Sequence, residues 1–406
     1  MARNLTEARP EDVGLSAEGL ARVDAAIQAL IDQGELAGAV TLVARRGRLV
    51  HTNAMGKKDL ATGEPLSVDS LFRIYSMTKP VTGVAMMILH DEGRWRPEDP
   101  IASHLPEFAD VKVFAGLDAA GARVLVAPDH PPTIAELMTH TAGFSYGFDP
   151  ANPVDGLYQA AQVWQSPSLA DFSSRLAGAP LAYQPGSRWL YSLSMDLQGA
   201  IIERLSGQSL PEFMQARIFG PLGMIDTAFH TPAEKRARRA TIYRMSKRRG
   251  LVPVEQQMLP DLDHPPHLAS GGGGLVSSAR DYARFAQMLL NGGEFDGVRI
   301  VSAEALRLQM TNHLSEEIMA GGYGIGLQQI RPGYGHGFDG AVFTDPRRAG
   351  IPVGEGTYQW DGAAGTWFWV DPVNDLLFVG LIQRMAENSP PLQAMTQTLM
   401  AEAILD

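Results

Sequence analysis

The feature that most narrows what this chain can fold into is the mirrored order of its two ends. Near the start, Leu20, Val23, Ile27 and Leu30 recur at helical spacing, behind Ser16 as a helix cap and ahead of Gly34 as a stop. A strand-like run follows, Ala39-Val40-Thr41-Leu42-Val43-Ala44. The turn Arg45-Arg46-Gly47-Arg48 leads it back through Leu49-Val50-His51-Thr52 as a hairpin. Near the end the order reverses. Thr366-Trp367-Phe368-Trp369-Val370, a turn at 371–375 and Leu376-Leu377-Phe378-Val379-Gly380-Leu381 read as a second hairpin. A helix follows Pro390-Pro391, with Leu392, Met395, Leu399 and Ala403 on one face. Helix then hairpin, answered by hairpin then helix, predicts one antiparallel sheet completed by both termini and covered by helices, an α/β fold of the α+β kind.

Between the two ends the pattern changes. From about residue 95 to 260, proline, glycine and aspartate punctuate short helical runs and strand signals are sparse. Ile134-Ala135-Glu136-Leu137-Met138 reads as one helix, and Leu197, Ile201 and Leu205 before Gly207 as another. The expectation is a discontinuous sheet domain, 1–94 with 261–406, and a mostly helical domain, 95–260.

Charge and cysteine content remove several functional classes. The net charge of −11 over 406 residues argues against a nucleic-acid partner. The basic runs at 235–239 and 247–249 are local and read as solvated faces. With no cysteine, thiolate catalysis, disulfides and cysteine metal sites are excluded. No stretch approaches 18 uninterrupted apolar residues, and Met1 to Pro10 lacks an apolar core of signal-peptide length. No membrane partner and a cytoplasmic location are therefore expected. His264-Pro265-Pro266-His267 reads as a surface loop with no carboxylate context, and no metal is expected.

Two serines compete as nucleophile. Ser76-Met77-Thr78-Lys79 ends an apolar run and opens a helix-like one at Pro80, a residue tolerated in the first helical turn. Ser76 and Lys79, three apart, can share one face of that turn, as a hydroxyl beside an amine able to act as base. Ser145 in Gly143-Phe144-Ser145-Tyr146-Gly147 matches the nucleophile elbow of α/β-hydrolases. An elbow needs a strand before it and a helix after it. Here a helical run precedes and a proline-broken stretch, 148–153, follows, so Ser145 reads as a loop residue. Tyr191 in Trp189-Leu190-Tyr191-Ser192 is either a core ring with its hydroxyl satisfied or, beside a lysine, a proton shuttle of lowered pKa. Ser270 and the glycines 271–274 read as a tight turn, not a phosphate cradle, because no Gly-Lys-Ser/Thr follows. Ser278 with Asp281 looks like a capping box.

In order along the chain stand Ser76-Met77-Thr78-Lys79, Leu137-Met138-Thr139-His140-Thr141-Ala142-Gly143, Pro185-Gly186-Ser187-Arg188-Trp189-Leu190-Tyr191-Ser192, Gly271-Gly272-Gly273-Gly274-Leu275 and Trp360-Asp361-Gly362-Ala363-Ala364-Gly365-Thr366. Together they resemble the serine β-lactamase and penicillin-binding-protein superfamily, and most of all the class C β-lactamase-like esterases called family VIII carboxylesterases. The resemblance spans nearly the whole chain. It implies a β-lactamase/transpeptidase-like fold with the active site in the cleft between the two domains, and no cofactor. Ser76 would be the acylated nucleophile, Lys79 and Tyr191 would share the base and acid work, and the backbone N–H groups of Ser76 and Ala363 would form the oxyanion hole.

Two departures bear on substrate. Class C β-lactamases carry Tyr-x-Asn, where Leu193 stands here, and Lys-Thr-Gly, where Trp360-Asp361-Gly362 stands here. Losing an amide and a cation while gaining an indole shifts the site toward uncharged, apolar acyl groups. The expected activity is hydrolysis of small to medium carboxylic esters. A β-lactamase, or an acyltransferase or amidase using the same residues, is the alternative. Trp360, Gly362, Tyr146, Phe148 and Phe338 are the expected substrate-binding residues.

Overall fold

A computed structural model describes residues 5–149, 151–321, 331–385 and 389–405, together with the short strands Gly324–Ile325 and Gln328–Gln329. Of the residues read above, 1–4 and Pro150 lie outside the described residues. Eight strands form the main sheet: β1 (Thr6–Glu7), β2 (Gly38–Arg45), β3 (Arg48–Gly56), β4 (Tyr334–His336), β5 (Ala341–Phe343), β6 (Tyr358–Asp361), β7 (Trp367–Asp371) and β8 (Leu376–Leu381). Their order is β1-β3-β2-β8-β7-β6-β5-β4, so the two terminal hairpins meet at the centre, where β8 lies antiparallel on β2. Every pairing is antiparallel except β1 on β3, which is parallel.

Alternation along the central strands builds two cores from one sheet. Val40, Leu42 and Ala44 of β2, Phe368 and Val370 of β7, and Leu377, Val379 and Leu381 of β8 face one side. Ala39, Val43, Trp367, Trp369, Leu376 and Phe378 face the other. This second face is covered by α1 (Ala17–Asp32) and, at the far end of the chain, by a terminal helix at Leu392–Ala403. The first face carries α2 (Thr78–Asp91), α3 (Ser194–Ser206) and α4 (Ala279–Leu290) in a core shared with the middle of the chain. The terminal helix is α5. It buries Leu392, Thr396, Met400 and Ala403, while Met395 and Leu399 are only partly covered, so its inner face is rotated from the one expected.

Local signals set the element ends. Ser16 accepts from the Gly19 N–H at the start of α1, and Gly207 ends α3 with φ of 72°. Ser278 caps α4 by accepting from the Asp281 N–H, but the reciprocal half of the box is missing. The Asp281 carboxylate instead accepts from the Asp226 N–H and the Thr227 hydroxyl. The middle of the chain carries short helices, and it also holds two hairpins, Val113–Leu117 with Arg123–Val126 and Tyr243–Ser246 with Gly250–Pro253. The basic run at 235–239 is not simply solvated. Lys235 and Arg238 pair with Asp226, and Arg239 with Asp263. The second run, 247–249, sits exposed at the tip of the latter hairpin. Among the described residues no helix is long and apolar enough to cross a membrane.

Candidate active site

Ser76 sits in a single 3-10 turn, Tyr75–Met77, that runs directly into α2. The turn is held from behind. Phe72–Arg73 pairs with Val276–Ser277, the Ile74 N–H donates to the Leu275 carbonyl, and the Thr366 hydroxyl donates to the Ile74 carbonyl. Tyr75, just before the nucleophile, has φ of 43°, a left-handed conformation that costs a non-glycine residue about 1 kcal/mol or more. Such strain persists only where the surroundings impose it. Ser76 and Tyr75 are half-buried on this turn, and Met77 is buried.

Two groups converge on that hydroxyl. The Tyr191 hydroxyl donates to Ser76 Oγ at 2.7 Å, and Lys79 Nζ lies 3.2 Å from the same oxygen. Lys79 is fully buried on α2. Its ammonium also donates to the Gly272 carbonyl at 2.6 Å, approaches the Tyr146 hydroxyl at 3.4 Å and lies 4.7 Å from the centre of the Tyr191 ring. Burial lowers the Lys79 pKa to about 8, against the opposing pull of Asp196, Asp339 and Asp361. Tyr191 moves the other way from the shuttle expectation. Burial raises its pKa above the ordinary phenol value, with the Ser76 hydrogen bond opposing, so at neutral pH it is a proton donor.

The glycine run at 271–274 is indeed a tight turn, but it has a role that sequence reasoning missed. A Cβ on Gly271 would overlap the Met195 carbonyl, and one on Gly272 would come within 2.8 Å of Asp196 Oδ2. Only a chain without side chains can pass between α2 and α3 there and offer a carbonyl to Lys79. Asp196, also missed, is fully buried at the start of α3. Its Oδ1 accepts from the Ser270 hydroxyl at 2.6 Å and the Gly272 N–H at 3.2 Å, and burial raises its pKa. The signal was the acid two residues into the helix that follows Tyr191, which pattern alone could not connect to a glycine run some 75 positions on.

The other expected residues divide. Gly362 must be glycine, since a Cβ would overlap both Thr366 Oγ1 and the Ile74 carbonyl. That approach brings the turn carrying Ala363 against the Ser76 turn. Neither the Ser76 nor the Ala363 N–H has an intramolecular acceptor among the described residues, so both are free donors. Trp360 on β6 is nearly buried, with its ring 6.0 Å from that of Tyr191. Tyr146 touches Lys79 as described. Phe148 stacks on Tyr146 at 4.5 Å and is 64% exposed, so its outer face is open.

Phe338 is different. It is fully buried, stacked on His313 at 4.1 Å, and has no surface left to wall a pocket. Leu193 is also fully buried, its N–H donating to the Ser145 carbonyl. Ser145 is a buried loop residue, as its context implied. Its hydroxyl accepts from Asn152 Nδ2 at 3.3 Å. His264 and His267 are exposed, but His264 does have a carboxylate beside it, Asp261 at 2.8 Å.

A serine hydroxyl approached by a buried lysine of lowered pKa and by a phenol is an arrangement suited to a serine hydrolase. The comparisons with known proteins agree. The beta-lactamase family model matches residues 23–400, and the chain belongs to that family. Protein Rv1367c of Mycobacterium tuberculosis is 40% identical, the match covering 90% of each chain. Esterase EstB of Burkholderia gladioli is 32% identical over 89% of this chain and 90% of its own. Among solved structures, "EstCE1, a hydrolase with promiscuous acyltransferase activity" superposes with a TM-score of 0.79 at 28% identity. That match covers 96% of this chain and 99% of the other.

Proposed function

We propose that this protein is a carboxylesterase for small to medium esters with uncharged acyl groups, acting through an acyl-enzyme on Ser76. The observation that carries the reading is the convergence of Tyr191 and Lys79 on one oxygen, with Lys79 near pKa 8. At pH 7 about a tenth of such an amine is neutral, enough for a general base. Neutral Lys79 takes the Ser76 proton as Oγ attacks the ester carbonyl. The oxyanion is held by the Ser76 and Ala363 N–H groups. Tyr191 gives its proton to the departing alkoxide and regains one from Lys79. A water molecule then attacks the acyl carbon, losing its proton along the same route, and Ser76 is released with the carboxylic acid. In this reading the substrate cleft runs between segments 1–94 and 261–406, which supply Ser76 and Ala363, and segment 95–260, which supplies Tyr146 and Tyr191.

The substrate preference rests on two side chains. Trp360 stands where a β-lactamase would offer a cation, and Leu193 turns into the core where one would offer an amide. Both count against β-lactam turnover. Acyl transfer to an added alcohol is the second reading, favoured by the activity named for the EstCE1 relative. Turnover of p-nitrophenyl butyrate well above that of nitrocefin, with a fluorophosphonate adduct mapped to Ser76, is the expected result. An adduct elsewhere, or no ester turnover, would overturn the proposal. Competition between water and an added alcohol for the acyl group separates hydrolase from transferase.

A further inference from the structure

Three buried ring nitrogens beside Tyr191 have no hydrogen-bond partner among the described residues, His140 Nε2, Trp189 Nε1 and His336 Nε2, while the Trp360 indole N–H is turned to the Tyr191 hydroxyl. Each ring is at least nine-tenths buried, and a buried polar atom left unpaired costs about 1–3 kcal/mol. These three rings form one cluster with that of Trp360. His140 lies 5.5 Å from His336, nearly perpendicular to it, and 5.6 Å from Trp189. His336 lies 5.4 Å from Trp360. The Tyr191 ring closes the cluster, 4.9 Å from His140 and 6.0 Å from Trp360.

Hydrogen bonds on the far sides of the imidazoles set their tautomers. The Ser192 N–H donates to His140 Nδ1 at 3.1 Å, so the proton of His140 is on Nε2. His336 Nδ1 lies 2.6 Å from the Gly337 carbonyl, which can only accept, so His336 Nε2 carries a lone pair. Burial lowers both imidazole pKa values, that of His336 to about 4, and both rings are neutral at the pH of ester hydrolysis. The cluster therefore offers two N–H donors and one acceptor, with no net charge. A cation has too many donors to face. An anion meets the His336 lone pair. One neutral hydroxyl, accepting from His140 and Trp189 while donating to His336, matches the set.

We propose that His140, Trp189 and His336 form a binding recess beside Tyr191 for a single hydroxyl group, which accepts from His140 Nε2 and donates to His336 Nε2. The hydroxyl comes from one of two sources, a resident water or the acyl chain of a hydroxy-acid ester entering past Trp360. The second source rests on the esterase reading; the recess itself does not.

The test has two arms. A high-resolution crystal structure of the unliganded protein is expected to show an ordered oxygen within hydrogen-bonding distance of both Nε2 atoms. In His336→Phe, which removes the acceptor and fills the space, that oxygen is absent. In His336→Gln, which keeps an acceptor, it remains. The kinetic arm compares p-nitrophenyl 3-hydroxybutyrate with p-nitrophenyl butyrate. A substrate-filled recess gives a kcat/KM preference of about tenfold for the hydroxy ester, lost in His336→Phe and kept in His336→Gln. An ordered oxygen without that preference makes water the occupant. No oxygen between the imidazoles and no preference together overturn the proposal. A protein that hydrolyses no ester fails the esterase reading alone, because the crystallographic arm still decides the recess.

Discussion

Lys79 illustrates how one side chain can be placed for chemistry at a cost to the fold. Its ammonium is wholly buried, and burial outweighs the three nearby carboxylates in setting its pKa near 8. In the proposed mechanism the neutral form is the base, so the sign of the pH dependence follows. With p-nitrophenyl butyrate, kcat/KM is expected to rise about tenfold per pH unit below 8 and to level off above it. A profile flat from pH 6 to 9 would exclude Lys79 as the base. Lys79→Met keeps the length and removes the amine, and a fall in kcat of about 10³-fold is expected, with near-UV circular dichroism unchanged. Tyr191→Phe keeps the ring packing against His140 and Trp360 but loses the proton that reaches Ser76 Oγ. In the proposed mechanism Tyr191, held protonated by burial, is the acid, so the loss is expected to be larger for esters of poorly leaving alkyl alcohols than for nitrophenyl esters. Comparing the two substrate types in the variant measures that difference.

At the scale of elements, the site depends on a strand end pressed against a helix start. Gly362 follows β6 and packs on Ile74, two residues before the nucleophile, while Thr366 clamps the same carbonyl. Gly362→Ala would push these apart and carry the Ala363 N–H away from the oxyanion position. The expected outcome is a fall in kcat of about 10²-fold, with slower fluorophosphonate labelling of Ser76 and a small change in melting temperature. The parts of this arrangement that were legible in the sequence are the local ones. Ser76 before Pro80, the Ser16 cap, the Gly207 stop and the two terminal hairpins each depend on neighbouring residues. What escaped was settled over distance. The Asp281 carboxylate leaves its own helix for Asp226 and Thr227, the short strands β4 and β5 pair with each other and join the sheet only through β5 on β6, and Asp196 meets Gly272 through the fold. Phe338, expected to bind substrate, lies instead in the core, because its burial is settled by the fold and not by neighbouring residues. The lowered pKa expected for Tyr191 failed for the same kind of reason, since burial, invisible in the sequence, outweighs the lysine beside it.

For the molecule as a whole, the chemistry sits on one face of the sheet and the closure of the chain on the other. α1 and α5 seal the second face, and they meet tightly. The Ser16 N–H donates to the Ala403 carbonyl, the Leu405 N–H donates to the Gly14 carbonyl, and Leu15 bridges to Ile404. Gly19 lies at the point of contact, where an added Cβ would stand 2.5 Å from Ala403 Cβ and 2.7 Å from its Cα. A backbone atom cannot rotate aside, so Gly19→Val forces α5 off the sheet or distorts α1. Overpacking of this kind costs about 1–3 kcal/mol, and a melting temperature lowered by several degrees is expected. Ala403→Gly removes one of the two obstructing atoms and should recover part of the loss in the double variant, a coupling absent if the two residues act independently. Ser76, Lys79 and Tyr191 lie across the sheet from this contact. Esterase kcat measured well below the melting temperature is therefore expected to stay near that of the parent. A parallel loss of kcat and stability would mean that the two faces of the sheet are not mechanically separate.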